Sequence, residues 1–183
     1  TEFGQHEKAL AVLEHWRSRP GSDTEFLLFR LLGLSYLENG RAEDAIKACQ
    51  RALRLFPQDS ISLSTLGLLY VEQEEGAEIG IMLCQKALAL DNFNPDHWYR
   101  LSRALLHLGK LTEALDAGKQ CLRLRRNHIE GLLQLGQLQQ ALGRYKLARK
   151  WFKQALATKG CHTTLATRAR VCLDALSASG KEG

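Results

Sequence analysis

The side chains best suited to metal or acid–base chemistry in this 183-residue chain are six histidines and five cysteines. The histidines are His6, His15, His97, His107, His128 and His162. No two of them lie four residues apart, the spacing that puts two imidazoles on one helical face as a metal-ligand pair. The sequence has no glycine-rich phosphate loop, no nucleophile elbow and no H-E-x-x-H motif. We therefore predict no metal site, no cofactor and no catalytic site, so the chain is not expected to be an enzyme.

The cysteines are odd in number, widely spaced and never arranged as C-x-x-C; they are Cys49, Cys84, Cys121, Cys161 and Cys172. Three of them recur on one helical face, where a small apolar residue fits. This pattern predicts reduced thiols and an intracellular, cytoplasmic location, with one disulfide plus unpaired thiols as the alternative. No apolar run approaches the ~20 residues that span a bilayer, so no membrane span is predicted.

The charges are unevenly distributed along the chain, whose formal net charge is +5. Residues 1–94 hold 9 Lys and Arg against 14 Asp and Glu, whereas residues 95–183 hold 16 against 6. The cations suited to a polyanion, through counterion release from phosphates, are Arg123, Arg125, Arg126, Arg144, Lys146, Arg149, Lys150 and Lys153. A solvated helix face is the alternative interpretation of this basic cluster, and Trp151 is expected to be packed.

An internal repeat of the sequence predicts the helices that carry these side chains. Small residues separated by 34, 35 and 34 positions mark four segments, at Gly33, Gly67, Ser102 and Gly136. Such a period predicts a stack of helical repeats, and the apolar spacing within each unit is that of amphipathic helices. With turns at Gly40, Gly76, Gly109 and Gly143, we predict helix pairs over 26–39/42–55, 60–73/77–90, 95–108/111–124 and 129–142/145–158.

The residues around the small positions carry a family resemblance. The first unit has Phe29, Leu32, Gly33, Tyr36, Ala45, Ala52 and Pro57, and the fourth has Leu132, Leu135, Gly136, Ala148, Phe152 and Ala155. Residues 26–162 thus resemble the tetratricopeptide repeat family. The second unit departs from the pattern by one extra residue in its turn, near Gly76. In the third unit, Gly118 predicts a small gap in the packing of the second helix.

The resemblance implies an all-α fold, a right-handed superhelical solenoid of antiparallel helix pairs. It implies a single repeat domain over 1–183, with repeats at 26–59, 60–94, 95–128 and 129–162. Residues 4–25 are expected to form an orphan second helix, 163–178 a C-terminal capping helix and 179–183 a disordered tail. Because an orphan helix exposes an apolar face, we expect the native protein to continue upstream.

The concave wall of such a solenoid is lined by the first helix of each unit, and it is the expected binding site for a protein or peptide partner. The predicted contacts are Leu27, Arg30, Leu34, Leu37, Ile61, Ser64, Leu68, Val71, Tyr99, Arg103, Leu106 and His107. In this prediction Leu34, Leu37, Leu68 and Val71 form an exposed apolar patch, and nearby cations could hold a carboxylate. The alternative is that curvature or a missing helix buries the leucines.

The resemblance therefore implies a protein–protein interaction module, a scaffold or adaptor. Two alternatives remain open at this point. One is binding of RNA or another polyanion through the basic C-terminal half. The other is head-to-tail self-association, driven by the charge asymmetry and the exposed N-terminal helix.

Overall fold

A computed structural model describes residues 11–12, 15, 25–73, 76–161 and 163–178, and all regular structure within these ranges is helical. From residue 25 onward the helices are α1 (Glu25–Glu38), α2 (Ala42–Leu55), α3 (Ser60–Glu72), α4 (Ala77–Leu90), α5 (Pro95–His107), α6 (Leu111–Leu124), α7 (Ile129–Ala141), α8 (Tyr145–Ala157) and α9 (Thr163–Ala178). The predicted all-α class is confirmed, and each helix of the four pairs begins and ends within one residue of its predicted bounds.

The chain forms two compact units, residues 1–92 and 93–183. In the first unit, α1 packs against α2, α2 against α3 and α3 against α4. In the second unit, α5 packs against α6, α6 against α7 and α7 against α8. The last helix, α9, packs against both α8 and α7. Each unit is therefore built from antiparallel helix pairs joined by short turns.

The first helix of each of the last three pairs begins at a side-chain cap. Asp59 accepts a hydrogen bond from the Ser62 N–H at 3.1 Å, and Asn94 accepts one from the Asp96 N–H at 3.0 Å. At the start of α7, His128 Nδ1 accepts the Gly131 N–H at 3.0 Å. Each cap satisfies one backbone donor that has no partner within its helix, so these helices start at defined residues.

The turn within three of the pairs ends on a glycine in the left-handed region. Gly40, Gly109 and Gly143 have φ angles of 71°, 71° and 73°. A side chain at such a φ is disfavoured because its Cβ crowds the neighbouring carbonyl oxygen, whereas glycine adopts this conformation freely. The predicted breaks at these three glycines are confirmed.

The small residues of the repeat bring the two helices of a pair into close contact. A Cβ added to Gly33 would lie 2.6 Å from the Cys49 sulfur, and one added to Gly67 would lie 2.6 Å from the Gly80 carbonyl oxygen. At Gly136 the added carbon would overlap the Phe152 ring. The small positions are therefore points of close approach, as the repeat predicts.

The predicted gap at Gly118 is wrong. A Cβ at this position would lie 2.9 Å from Leu135 Cδ2 and 3.2 Å from Ser102 Oγ. Leu135 comes from α7, in the following repeat, and it fills the space that the missing side chain leaves. Gly118 is therefore a point of close packing between α6 and α7.

Parts of two predicted elements lie outside the described residues. Of the predicted helix at 4–25, only Ala11, Val12, His15 and Glu25 are described; all four are helical, and Glu25 begins α1. The predicted disordered tail at 179–183 is not among the described residues.

Candidate functional site

The predicted binding face of the first unit begins with α1. Leu27, Leu34 and Leu37 are half-buried, and Leu37 packs against the core between α1 and α2. Leu31, which is not among the predicted contacts, is 45% exposed. Because Leu27, Leu31 and Leu34 are spaced i, i+4 and i+7, they form one apolar strip along the helix. We call these three residues the α1 strip.

The prediction of exposed apolar side chains on α3 is wrong. Leu68 is 1% exposed, Val71 is 0% exposed and Ser64 is 0% exposed. Val71 packs between the paired helices, since a Cβ on Gly80 of α4 would lie 2.7 Å from its Cγ2 atom. Ile61 is half-buried. The apolar patch that the sequence predicts on two helices is therefore confined to α1.

Arg30 is one of the cations predicted to hold a partner's carboxylate. Its Nη1 atom lies 3.2 Å from Asp59 Oδ1, and the Asp59 side chain is 5% exposed. The same carboxylate caps α3 through Ser62. The Arg30 charge is thus already compensated inside the protein, at the start of the next repeat.

In the second unit the predicted contacts are more polar. Tyr99, Arg103 and Leu106 are half-buried on α5, and His107 is exposed at its end. The Tyr99 ring lies against the His128 ring, with centroids 5.4 Å apart and an angle of 38° between the planes. Leu133, the corresponding groove position of α7, is only 2% exposed. The structure therefore leaves the predicted α5 residues partly accessible and buries the leucine of the next helix.

His128 links the starts of α5 and α7 through both ring nitrogens. Nδ1 accepts the Gly131 N–H, so Nε2 carries the proton of the neutral ring and donates to Asp96 Oδ1 at 2.7 Å. This hydrogen bond is the main cause of a lowered Asp96 pKa, and it outweighs the opposing effect of desolvation. The charges of Arg100 and Arg125 lower the same pKa further.

The sequence-based prediction of binding residues omits His128 of the second unit and Leu31 of the first, although the sequence contains a signal for each. His128 lies 34 residues after Asn94, which itself lies 35 after Asp59, so the repeat period marks all three as helix caps. Leu31 lies one turn after Leu27 on the same face. Aligning the helix-cap positions of the repeats would have found His128, and checking the i+4 neighbour of Leu27 would have found Leu31.

The basic cluster lies on the second unit, at the end of α6 and along α8. Seven of its eight members are exposed, and Arg149 is half-buried. The Nη1 atom of Arg125 lies 3.9 Å from Asp96 Oδ1. Trp151 is half-buried. The basic cluster is thus a property of the second unit by itself.

Three further observations on the described residues concern possible metal ligands, membrane-spanning helices and cysteines. Within the described ranges, no group of three or more His, Cys, Asp or Glu side chains is placed to hold a metal ion. None of the described helices is long and apolar enough to cross a membrane. The five cysteines form no disulfide in the described part of the chain, and burial raises the Cys121 pKa to about 12.

Comparison with known proteins agrees with this geometry. Family models described as "Tetratricopeptide repeat" match residues 26–59, 83–116 and 129–159. Among solved structures, a tetratricopeptide repeat protein of Thermus thermophilus is 19% identical with a TM-score of 0.78, covering 94% of this chain and 92% of that one. A chain of the APC/C hetero-tetramer Cut9–Hcn1 is 20% identical with a TM-score of 0.69, covering 93% of this chain and 34% of that one.

Two curated relatives extend the comparison. Human cilia- and flagella-associated protein 70 is 31% identical over 142 residues, which is 76% of this chain and 12% of that protein. Cellulose synthase 1 operon protein C of Komagataeibacter xylinus is 27% identical, over 83% of this chain and 12% of that protein. The chain therefore spans only about an eighth of the length of these relatives. Three repeat matches, and a relative that is 31% identical over 76% of this chain, show that the chain belongs to the tetratricopeptide repeat family.

Proposed function

We propose that the chain binds a segment of a protein partner through the α1 strip, with apolar side chains of the partner as the main anchors. Tetratricopeptide repeats are protein–protein interaction and scaffold modules, and both the family matches and the fold support that class for this chain. The chemistry of the α1 strip indicates a partner segment with exposed apolar side chains.

The exposure of Leu31 carries the proposal. A leucine fully buried from water contributes about 1.5–3 kcal/mol, so covering the exposed 45% of Leu31 would contribute on the order of 1 kcal/mol. Leu27 and Leu34 flank it on the same face and would extend the contact. Because Arg30 is already paired with Asp59, charge is not the main recognition element at this strip. We therefore expect binding that depends only mildly on salt.

In the second unit, we propose a separate set of partner contacts at Tyr99, Arg103, Leu106 and His107. Their half-buried or exposed side chains offer a hydroxyl, a guanidinium and an imidazole along α5. Such groups bind the backbone carbonyls or carboxylates of a peptide, and they would supply specificity more than affinity.

The test begins with a peptide library displayed on phage and selected on the immobilised chain. Selected peptides are then titrated against the parent chain and a Leu31→Glu variant, with binding followed by fluorescence polarisation. A charge placed at the centre of the α1 strip should weaken binding about tenfold or more, since it costs more than about 1.4 kcal/mol. Circular dichroism must show that the variant keeps its helix content.

Leu55→Glu is the matched control, because Leu55 is also an exposed leucine of the first unit, at 42% exposure on α2. The proposal expects this variant to bind the selected peptides as the parent does. If Leu31→Glu binds as tightly as the parent, or if both variants weaken equally, the α1 strip is not the binding surface.

A further inference from the structure

The sequence from α8 to the middle of α9 carries only positive charge, and the first acidic residue of α9 is Asp174, which is exposed. Between Glu130 and Asp174 there is no Asp or Glu, but there are eight Lys and Arg residues. Lys146, Lys150 and Lys153 lie exposed on α8 at the spacing i, i+4 and i+7, and Arg168 and Arg170 are exposed on α9. Because α9 packs against α8, these cations belong to one continuous part of the second unit.

This cationic surface also exposes apolar side chains. Leu147 on α8 is 44% exposed, and Val171 on α9 is 61% exposed. The aromatic residues of α8 are not similarly available, since Tyr145 and Trp151 are half-buried and Phe152 is 0% exposed. A single-stranded nucleic acid is typically held by cations together with exposed aromatic rings. Cations around exposed aliphatic side chains fit an acidic protein surface that has aliphatic residues of its own.

A surface of that kind lies on α4, in the first unit. Ile79 is 56% exposed, Met82 is 66% exposed and Leu90 is 43% exposed. The sequence from 72 to 78, EQEEGAE, places four glutamates at and before the start of this helix, and Glu78 is exposed beside Ile79. At the repeat position of Met82 the neighbouring second helices expose polar residues instead, Lys47 on α2 and Asp116 on α6, whereas Leu55 and Leu124 are exposed as Leu90 is.

We propose that the α4 surface of one copy of the chain binds the α8–α9 surface of a second copy. The contact joins exposed aliphatic residues at its centre, mainly Ile79 and Met82 with Leu147 and Val171. It joins Glu78 of α4 to the lysines of α8 at its edge. The net charges of the two sequence halves, −5 for residues 1–94 and +10 for residues 95–183, add long-range attraction between copies.

Such a contact is heterologous, because it joins two different surfaces. Each bound copy leaves one α4 surface and one α8–α9 surface unoccupied, so assembly continues into rings or filaments. This self-association uses surfaces other than the α1 strip and is independent of the proposed peptide binding.

The first measurement is sedimentation velocity of the parent chain over a hundredfold range of concentration, at about 50 mM and about 500 mM salt. The proposal expects a size that grows with concentration, and less growth at high salt because exposed charges are screened. A monomer at every concentration in the low-salt buffer would overturn it.

Two variants then separate the two surfaces. Ile79→Ser/Met82→Ser removes the aliphatic centre of the α4 surface without changing charge, and Lys150→Glu/Lys153→Glu reverses part of the α8–α9 surface. All four side chains are exposed, so both variants should fold, which circular dichroism checks. Each variant alone lacks one of the two surfaces, so it should self-associate only weakly, with a dissociation constant raised about tenfold or more. Mixed together, they should form 1:1 dimers that grow no further, because each supplies the surface that the other lacks.

Two control variants test whether assembly depends on these two surfaces. Lys47→Glu/Arg54→Glu makes the same charge change on exposed residues of α2, and it should not weaken assembly. Lys86→Glu removes the exposed cation that lies on the α4 surface itself, and it should strengthen assembly. If the mixed variants do not pair, or if Lys86→Glu weakens assembly, the proposed contact is wrong. A monomeric parent chain that shifts an oligonucleotide in a gel, with the shift lost in Lys150→Glu/Lys153→Glu, would assign this surface to nucleic acid instead.

Discussion

Gly33 on α1 is the position where one added methyl group tests the packing of the first unit most directly. The Cβ of an alanine there would lie 2.6 Å from the Cys49 sulfur, but 3.5 Å from the Cys49 nitrogen and 3.6 Å from the Ala45 oxygen. Only the side-chain sulfur is therefore too close. We predict that Gly33→Ala is destabilising and that Cys49→Ala rescues it.

The magnitudes follow from three contributions. Overpacking a core typically costs about 1–3 kcal/mol, and replacing glycine by alanine inside a helix returns about 1 kcal/mol. Gly33→Ala alone should thus lower the free energy of unfolding by about 1 kcal/mol. Cys49→Ala alone should cost a similar amount, about 1 kcal/mol, because it leaves a small cavity. In the double variant the new methyl group occupies the space of the sulfur, so stability should return to within about 0.5 kcal/mol of the parent.

The matched control is the equivalent pair in the next repeat, Gly67 and Cys84. A Cβ on Gly67 would lie 2.8 Å from the Cys84 sulfur, but also 2.6 Å from the Gly80 backbone oxygen. Removing the sulfur leaves the overlap with the backbone, which no side-chain substitution relieves. Gly67→Ala should therefore be destabilising by about 1–2 kcal/mol, and Cys84→Ala should not restore it.

Urea unfolding followed by far-UV circular dichroism measures all six variants, and both pairs lie in the same unit. The coupling energy of the Gly33/Cys49 pair should be about 2 kcal/mol, and it should exceed that of the Gly67/Cys84 pair. If the effects of Gly33→Ala and Cys49→Ala simply add, the sulfur is not what limits the approach of α1 and α2. If Cys84→Ala fully rescues Gly67→Ala, the close approach of the α3 and α4 backbones is wrong.

Three further predictions concern single groups. The pKa of Asp96 is lower in the folded chain than in the unfolded chain, so the unfolded chain binds the Asp96 proton more tightly. The stability that this difference contributes is present above the usual Asp pKa of 3.8 and is lost as the pH falls below that value. Asp96→Asn should accordingly show a shallower loss of stability between about pH 4 and pH 2 in acid titrations than the parent, and an equally steep loss would refute this role. Asp59→Ala removes both a helix cap and the partner of Arg30, so it should cost more than Asn94→Ala, which should lose about 1 kcal/mol in thermal or urea unfolding; equal losses would mean that the Arg30 pair contributes nothing. Since burial raises the Cys121 pKa to about 12, iodoacetamide at about pH 8 should label this thiol only in urea, as mass spectrometry of tryptic peptides would show, and rapid labelling of the folded chain would contradict its burial.

The sequence by itself determined the helical architecture, because the signals for it are local. Small residues at a period of 34 or 35 located each helix pair, and the turn glycines ended the first helices where positive φ is required. Caps such as Asp59 and Asn94 are equally local, since each bonds a backbone N–H two or three residues away. The helix bounds could therefore be predicted to within a residue.

Which side chains remain exposed was decided only by the tertiary structure. Leu68 and Val71 occupy the same repeat positions as Leu34 and Leu37, yet they are 1% and 0% exposed. Positional rules assume an ideal repeat, whereas burial depends on what neighbouring helices contribute, such as Gly80 beside Val71. The same reason explains Gly118, whose expected gap is filled by Leu135 from the following repeat.

For the charged residues too, the sequence shows where the charges lie along the chain, and the tertiary structure decides which of them are paired. The sequence showed a basic C-terminal half, but it could not show that Arg30 pairs with Asp59 or that Arg125 lies near Asp96. These partners are 29 residues apart in both cases, so they meet only when the helices have packed together. A local pattern therefore identifies the repeat and its helices, whereas the surface open to a partner is set by contacts between residues of different helices.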